Sequence, residues 1–151
     1  MKKICVTGAN GFIGKSICNE LIKQGKLVRG TVRSLKTISE ISNYECISVG
    51  DIDSNTNWSQ ALTNCDCVIH CAGLKAIGES VKEPITYIEH NVGSTLSLLD
   101  CMMQEGVYKI IFSSSASVYD AKQSPPWKEQ DKIGNTITTS LFNLYAVIKS
   151  R

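Results

Sequence analysis

Residues 7–14, Thr7-Gly8-Ala9-Asn10-Gly11-Phe12-Ile13-Gly14, decide the fold class of this 151-residue chain. They follow a short apolar segment and lead into a segment of helical period. A turn this tight requires glycine where φ is positive and where a Cβ would keep a ligand away. The N–H groups at the start of the helix then face any phosphate placed there. A strand, this turn and a helix in order predict a dinucleotide site at Gly8, Gly11 and Gly14; a turn with a purely structural role is the alternative.

Outward from this turn, short apolar segments alternate with longer segments of helical period. The predicted strands are 4–6, 27–32, 46–49, 67–71 and 109–112. Helices are predicted over 13–22, which Gly25 ends, over 58–62, from Pro84 as one long helix towards Glu105, which Gly106 ends, and near 141–151. Strands that are apolar on both faces and alternate with helices predict an α/β fold with a doubly wound parallel sheet of Rossmann type.

Composition excludes several classes of protein. With 42% apolar and 20% charged residues, the chain can bury a core of its own as one domain. The net charge is +2 and the basic residues are scattered, which argues against nucleic-acid binding. No apolar run approaches the ~18 residues of a membrane span, and Gly8 interrupts the first apolar stretch too early for a signal peptide. A cytoplasmic protein with no membrane or nucleic-acid partner is therefore predicted.

The seven cysteines include no C-x-x-C pair. Most of them lie within apolar segments, which predicts reduced, buried thiols. An alternative is a metal site formed by Cys65, Cys67, His70 and Cys71. The residues between them, Val68-Ile69, indicate a buried strand, on which ligands at this spacing cannot all converge. No bound metal is predicted.

Tyr145 and Lys149 are four residues apart in a segment predicted to be helical, so they share one helix face. A neighbouring ammonium favours the phenolate and lowers the tyrosine pKa from its usual value of about 10. The pair would then act as a base towards a hydroxyl group. As an isolated pattern, the same spacing also describes an ordinary surface pair.

Three stretches resemble one family. The glycines recur every third residue, which differs from the G-x-G-x-x-G turn and is similar to the extended branch of the short-chain dehydrogenase/reductase superfamily. Residues 68–81, VIHCAGLKAIGESV, and 112–119, FSSSASVY, resemble the corresponding stretches of the UDP-glucose 4-epimerase family. The Tyr145-x-x-x-Lys149 pair follows in the expected order, and the resemblance covers nearly the whole chain.

This resemblance implies an enzyme that moves a hydride between C4 of a UDP-sugar and NAD. Ser115, Tyr145 and Lys149 would be its catalytic residues. Ser115 would hydrogen-bond the sugar oxygen, and Tyr145 would exchange its proton. Lys149 would tune Tyr145 and hold the nicotinamide ribose.

The resemblance also implies cofactor contacts. Phe12 and Ile13 would lie over the pyrophosphate, residues 51–52 would flank the adenine, residues 71–75 would line the cofactor, and Asn91 would support that loop. The full set of implied or candidate contacts is Gly8, Gly11, Phe12, Ile13, Gly14, Arg33, Asp51, Ile52, Cys71, Ala72, Gly73, Leu74, Lys75, Asn91, Ser115, Tyr145 and Lys149.

Because of Arg33, the residues after the second strand do not decide between NAD and NADP as the cofactor. NAD enzymes commonly offer an acid to the ribose after the second strand, and here Arg33 stands near that place with no acid nearby in the sequence. Arginine can pair with a 2′-phosphate, and Thr31-Val32-Arg33 is similar to NADPH-dependent reductases resembling dihydroflavonol reductase. NAD is predicted from the epimerase resemblance, and an NADPH-dependent reductase is the alternative.

The chain ends within a predicted helix, so residues 1–151 are expected to be an NAD(P)-binding domain without the substrate-binding domain that would follow. We expect such a chain to turn over UDP-sugars poorly by itself. A non-catalytic nucleotide-binding or dimerisation module is a further alternative. The long helix from Pro84 and the helix carrying Tyr145 resemble the family's dimer interface, which implies a homodimer.

Overall fold

The computed structural model describes residues 2–37, 43–115, 119 and 125–131. Within these ranges, no helix is long and apolar enough to cross a membrane. The strands are β1 (Lys3–Thr7), β2 (Leu27–Val32), β3 (Glu45–Ser48), β4 (Cys67–His70) and β5 (Ile110–Phe112). The α-helices are α1 (Phe12–Lys23), α2 (Ser59–Leu62), α3 (Ile77–Lys82), α4 (Pro84–Ile88) and α5 (Ser94–Gln104). A 3₁₀ turn covers Leu35–Thr37, and a π-helical turn, Glu89–Gly93, joins α4 to α5.

The five strands form one parallel sheet in the order β3-β2-β1-β4-β5. Strand order therefore reverses between β1 and β4, the place where open α/β sheets form a ligand crevice. In the register, Thr7 at the end of β1 pairs with Thr31 of β2 and His70 of β4. The predicted doubly wound Rossmann-type sheet is confirmed.

Successive strand residues point to opposite faces of the sheet, so a strand that is apolar throughout has two faces to bury. Helices cover both of them. Val6 faces α1 and packs in one cluster with Cys18 and Val28. Cys5 points to the opposite face of the sheet, where it packs in a cluster with Trp58, the residue before α2, and with Leu98 of α5. Cys5, Val6 and Trp58 are fully buried, so the sheet is the centre of the fold.

The long helix predicted from Pro84 is not one uninterrupted α-helix. It begins at Pro84 as predicted, but the π-helical turn widens it at Glu89–Gly93. The Ser94 hydroxyl donates to the carbonyl of His90, and the Thr95 hydroxyl donates to that of Asn91 at 2.6 Å. A side-chain hydroxyl that donates to the carbonyl four residues earlier is associated with distortion of the helix. π-helical turns often occur at functional sites.

The other predicted boundaries are shifted by a residue or two, and α3 was not predicted. Gly25 and Gly106 follow their helices with φ of +69° and +71°, as expected for residues that end a helix. The helix predicted near 141–151 lies outside the described residues. Only Cys5 and Cys18 of the seven cysteines are fully buried, and the other five are half-buried.

Candidate active site

A cleft of about 400 Å³ lies at the carboxyl ends of β1, β2, β3 and β4. Its volume is typical of a small-molecule site. Most of the predicted cofactor contacts line it: Gly8, Gly11, Phe12, Ile13, Gly14, Arg33, Ile52, Cys71, Ala72, Gly73, Leu74 and Lys75. The tertiary structure thus brings four separate segments of the chain to one cavity.

Two glycines of the turn are required by the packing of the turn itself. Gly8 has a φ of +67°, and a Cβ there would lie 3.1 Å from the backbone of Ala72. A Cβ on Gly14 would lie 2.2 Å from the carbonyl oxygen of Gly8. Real Cβ atoms do not come as close to backbone as the one at Gly14 would, and at Gly8 a tight contact adds to a positive φ that favours glycine. Gly8 and Gly14 thus allow β1, α1 and the loop after β4 to meet.

Gly11 differs from these two glycines. A Cβ there would have only the Gly8 carbonyl oxygen within 4 Å, at 3.1 Å, and the residue lines the cleft. Gly11 is also the N-cap of α1, which has no side-chain cap and no acidic residue in its first turn. The first N–H groups of a helix lack intrahelical partners and favour anions. A pyrophosphate fits this end of the cleft, since the start of α1 has no side-chain cap and Gly11 carries no side chain there.

Thr7 joins the glycine turn to the loop after β4. Its Oγ1 accepts hydrogen bonds from the backbone N–H groups of Cys71 and Ala72, both at 3.1 Å. It also lies 2.7 Å from Nδ1 of His70. A hydroxyl offers two lone pairs and one proton, so Thr7 donates to His70. His70 Nδ1 is therefore an acceptor, and neutral His70 carries its proton on Nε2.

From His70 the hydrogen bonds continue to the π-helical turn and return to the cleft. Nε2 of His70 lies 3.3 Å from Thr95 Oγ1, and Thr95 donates to the carbonyl of Asn91. The Asn91 side chain accepts from the N–H of Leu74 at 2.8 Å and donates to its carbonyl at 3.1 Å. Thr7, His70 and Asn91 are all buried. They form a hydrogen-bonded network, hereafter the Thr7–His70–Asn91 network, that holds residues 71–74 at the cleft.

The opposite rim of the cleft carries an exposed ion pair. Nε of Arg33 lies 2.6 Å from Oδ1 of Asp51, and each side chain is 66% exposed. The sequence offers no acid near Arg33, but the fold supplies one from the loop after β3. Asp51 itself does not line the cleft, whereas Ile52 does.

Two buried thiols, Cys5 and Cys18, lie on β1 and α1, the two elements that the glycine turn joins. Burial is the main cause that raises the pKa of Cys5 to about 12, and it raises the pKa of Cys18 to about 11. Both thiols therefore stay protonated and are packing groups rather than nucleophiles. His70, considered above as a metal ligand, bonds to Thr7 and Thr95 instead. Among the described residues, no group of three or more ligand side chains could hold a metal ion.

The predicted catalytic residues are not all described. Ser115 follows β5, which pairs with β4, so it lies at the same edge of the sheet as the cleft, although it is not among the lining residues. The N–H of Ser113 donates to the carbonyl of His70 at 3.0 Å and fixes this connection. Tyr145 and Lys149 lie outside the described residues.

Sequence reasoning missed six residues that line the cleft: Asn10, Thr31, Val32, Val49, Gly50 and His90. Four of these are at or just beyond the carboxyl ends of β2 and β3, a position that strand prediction alone could have marked. His90 lies in the π-helical turn, for which the sequence carries no spacing signal.

The sequence model of the NAD dependent epimerase/dehydratase family matches residues 4–150. A UDP-glucose 4-epimerase of Neisseria meningitidis serogroup C is 40% identical over 146 residues, which is 90% of this chain and 43% of that protein. One of Klebsiella pneumoniae is 37% identical over 137 residues, 84% of this chain and 99% of that sequence.

Solved structures agree. A UDP-glucose 4-epimerase from Bifidobacterium longum in complex with NAD+ and UDP is similar with a TM-score of 0.78 and 33% identity, over 99% of this chain and 46% of that one. Another, from Stenotrophomonas maltophila with bound NAD and formylated UDP-arabinopyranose, has a TM-score of 0.80 and 28% identity over the same shares of the two chains. The chain thus spans less than half the length of most of these relatives. On the match over residues 4–150, it belongs to the NAD dependent epimerase/dehydratase family.

Proposed function

We propose that this chain is the NAD-binding part of a UDP-glucose 4-epimerase. The observation that carries the proposal is the cleft at the β1/β4 switch point, where the uncapped start of α1 and the small residue Gly11 leave room for a pyrophosphate. The family to which the chain belongs is NAD-dependent by its description, as the sequence predicted. The relatives in that family at 37–40% identity are UDP-glucose 4-epimerases.

Bound NAD would supply a hydride acceptor for C4 of the sugar. The protein's own part is to position the sugar and manage its proton. Ser115, at the sheet edge shared with the cleft, would donate a hydrogen bond to the sugar oxygen. Tyr145 would take and return the hydroxyl proton, and Lys149 would lower the tyrosine pKa and hold the nicotinamide ribose.

Calorimetric titration of the chain with NAD tests the binding step. We expect binding that Gly11→Val abolishes, because a branched side chain would occupy the space of the pyrophosphate. Gly78→Val is the matched control, since nothing lies within 4 Å of a Cβ at Gly78 and this residue does not line the cleft. If Gly11→Val bound NAD as tightly as the parent, the glycine turn would have a structural role only.

Conversion of UDP-galactose to UDP-glucose tests the catalytic step. The chain is incubated with UDP-galactose and NAD, beside Tyr145→Phe, which keeps the ring and removes the proton-transferring hydroxyl. The proposal expects slow conversion that the substitution removes. A chain that binds NAD but gives no conversion above the Tyr145→Phe background would instead favour a non-catalytic nucleotide-binding module.

A reductase is the second candidate, and Arg33 favours it, because arginine beside the cleft can pair with the 2′-phosphate of NADPH. A net reductase consumes its cofactor, whereas an epimerase returns the hydride to the same sugar. Steady loss of NADPH absorbance with 4-keto-sugar nucleotides, without any epimerisation, would support the reductase.

We also propose a homodimer built on the helical segment from Pro84 to Gln104. Ile85, Leu96 and Met103 are 75%, 61% and 67% exposed along it. Apolar side chains repeated along one segment are typical of a protein interface. Sedimentation should show a dimer that Leu96→Glu dissociates, while Lys23→Glu on α1 leaves it intact.

A further inference from the structure

The rim of the cleft at the ends of β2 and β3, hereafter the adenosine rim, carries two opposite charges rather than one. Arg33, directly after β2, lines the cleft, and Asp51, after β3, holds its Nε at 2.6 Å. The two residues meet because β2 and β3 are parallel neighbours, with Val32 opposite Ser48 and the Val49 N–H bonded to the Val32 carbonyl. At 66% exposure each, both side chains can reach a ligand at this rim.

We infer that the Arg33–Asp51 ion pair decides whether the cleft accepts a 2′-phosphate, and that Asp51 keeps the intact chain from preferring NADP. The inference rests on the proposed function, in which an adenine dinucleotide binds with its pyrophosphate at the start of α1. Its adenosine ribose then lies at the end of β2, as in related sheets.

Hydrogen bonding explains the effect on NADP. An arginine binds phosphate best through two parallel N–H groups of its planar fork. In this structure the Asp51 carboxylate already occupies Nε of Arg33, so an incoming 2′-phosphate must displace it or use the remaining N–H groups.

Charge acts in the same direction. A 2′-phosphate is attracted by Arg33 and repelled by Asp51, so the two contributions largely offset each other. The neutral 2′-hydroxyl of NAD meets no such repulsion and can donate a hydrogen bond to a carboxylate. The pair thus takes the place of the acid that the sequence lacks after β2.

The test is the ratio of dissociation constants for NADP and NAD, measured by calorimetry at about 0.1 M salt. Four proteins are compared: the parent, Asp51→Asn, Arg33→Ala and the double variant. We expect the parent to bind NAD at least as tightly as NADP. Asp51→Asn should shift the ratio towards NADP by about tenfold, equivalent to about 1.4 kcal/mol. Arg33→Ala should shift it the other way.

The double variant distinguishes an effect that Asp51 exerts through Arg33 from direct electrostatic repulsion between Asp51 and the phosphate. Once Arg33 is absent, only the direct, screened effect of Asp51 on the ligand remains, so Asp51→Asn should change the ratio by less than about threefold, near 0.65 kcal/mol. Asp100→Asn on α5 and Lys26→Ala, just before the start of β2, are the charge-matched controls, and both should leave the ratio unchanged. Circular dichroism and thermal melting establish that each variant is folded.

Three results would overturn the inference: a tenfold or greater preference of the parent for NADP, a shift below threefold in Asp51→Asn, or an equal shift with and without Arg33. These results all require dinucleotide binding, so they leave the proposed function intact. If neither dinucleotide binds the parent, the proposed function fails, and the inference fails with it.

Discussion

The two sides of the cleft are built in opposite ways. On the side where we propose that the pyrophosphate binds, Gly8 and Gly14 leave little or no room for a Cβ beside neighbouring backbone, and the Thr7–His70–Asn91 network is buried. On the side where we propose that the adenosine binds, Arg33 and Asp51 form an exposed ion pair, each side chain two-thirds exposed.

The difference separates stability from selectivity. Buried polar groups and close backbone contacts are costly to disturb, because nothing else can satisfy them. Exposed ion pairs add little to stability, since water and salt screen them. Substitutions at these two glycines or in the network should therefore lower the free energy of unfolding, whereas those at Arg33 or Asp51 should change the choice of ligand with little effect on stability.

The largest effect is expected from Gly14→Ala. A Cβ there would lie 2.2 Å from the carbonyl oxygen of Gly8, so the backbone of the turn would have to shift. We expect a loss of about 3 kcal/mol or more in the free energy of unfolding, measured in urea. Gly78→Ala, the same change in α3 with open space around it, should be neutral or stabilising. Equal stability of the two variants would contradict this account of the turn.

Thr7→Val should have the next largest effect. It keeps the shape of the side chain but removes the acceptor for two N–H groups and the donor to His70. The expected loss is about 2–3 kcal/mol, with faster hydrogen exchange of the Cys71 and Ala72 amides. Thr7→Ser retains the hydroxyl and should keep those amides protected. Slow exchange in Thr7→Val would show that the hydroxyl does not hold the loop.

Alkaline pH should also lower the free energy of unfolding, through the buried thiol of Cys5. Burial raises the pKa of Cys5 from 9.0 to about 12. The unfolded chain therefore releases this proton near pH 9, whereas the folded chain keeps it until about pH 12. The contribution of Cys5 to the free energy of unfolding is fully present below pH 9 and is lost as the pH rises towards 12. At pH 10 the loss from Cys5 alone is on the order of 1 kcal/mol. Urea unfolding at pH 8 and pH 10 should show a smaller drop for Cys5→Ala than for the parent; identical drops would refute the assignment.

The smallest effect on stability is expected for Arg33→Ala. An exposed ion pair contributes about 0.5 kcal/mol or less, so unfolding in urea should hardly change. Arg29 on β2 is the informative contrast: it is buried, pairs with Glu45 at 2.9 Å, and donates to the carbonyl of Thr63 at 2.7 Å. Arg29→Ala should cost about 2 kcal/mol or more. Comparable losses for the two arginines would mean that the adenosine rim is as much a part of the folded framework as the buried side.

Much of the fold was predictable because strands and helices depend on residues close together in sequence. Apolar runs predicted all five strands, and Gly25 and Gly106 predicted two helix ends. The π-helical turn was not predictable, because it depends on where Asn91 must reach Leu74 across the loop after β4. The helix α3, six residues with a glycine at its second position, has too weak a periodicity to be recognised.

The candidate site was predictable in part. The glycine turn and residues 71–75 come from continuous stretches, so their resemblance to a family could be read directly. His70 was considered only as a metal ligand, because the sequence does not show that Thr7, 63 residues away, lies opposite it in the parallel register. That the pocket includes His90 follows only from the three-dimensional path of the chain.

By itself, the sequence determined the doubly wound fold, the glycine turn and the family, because each depends on local periodicity or on a contiguous motif. The tertiary structure alone decided which charges and hydrogen-bonding groups meet: Asp51 with Arg33, and His70 with Thr7 and Thr95. The physical reason is that these partners come from different strands and helices. Their encounter is set by the register of β1 with β4 and of β2 with β3, which forms only when the sheet buries both of its faces.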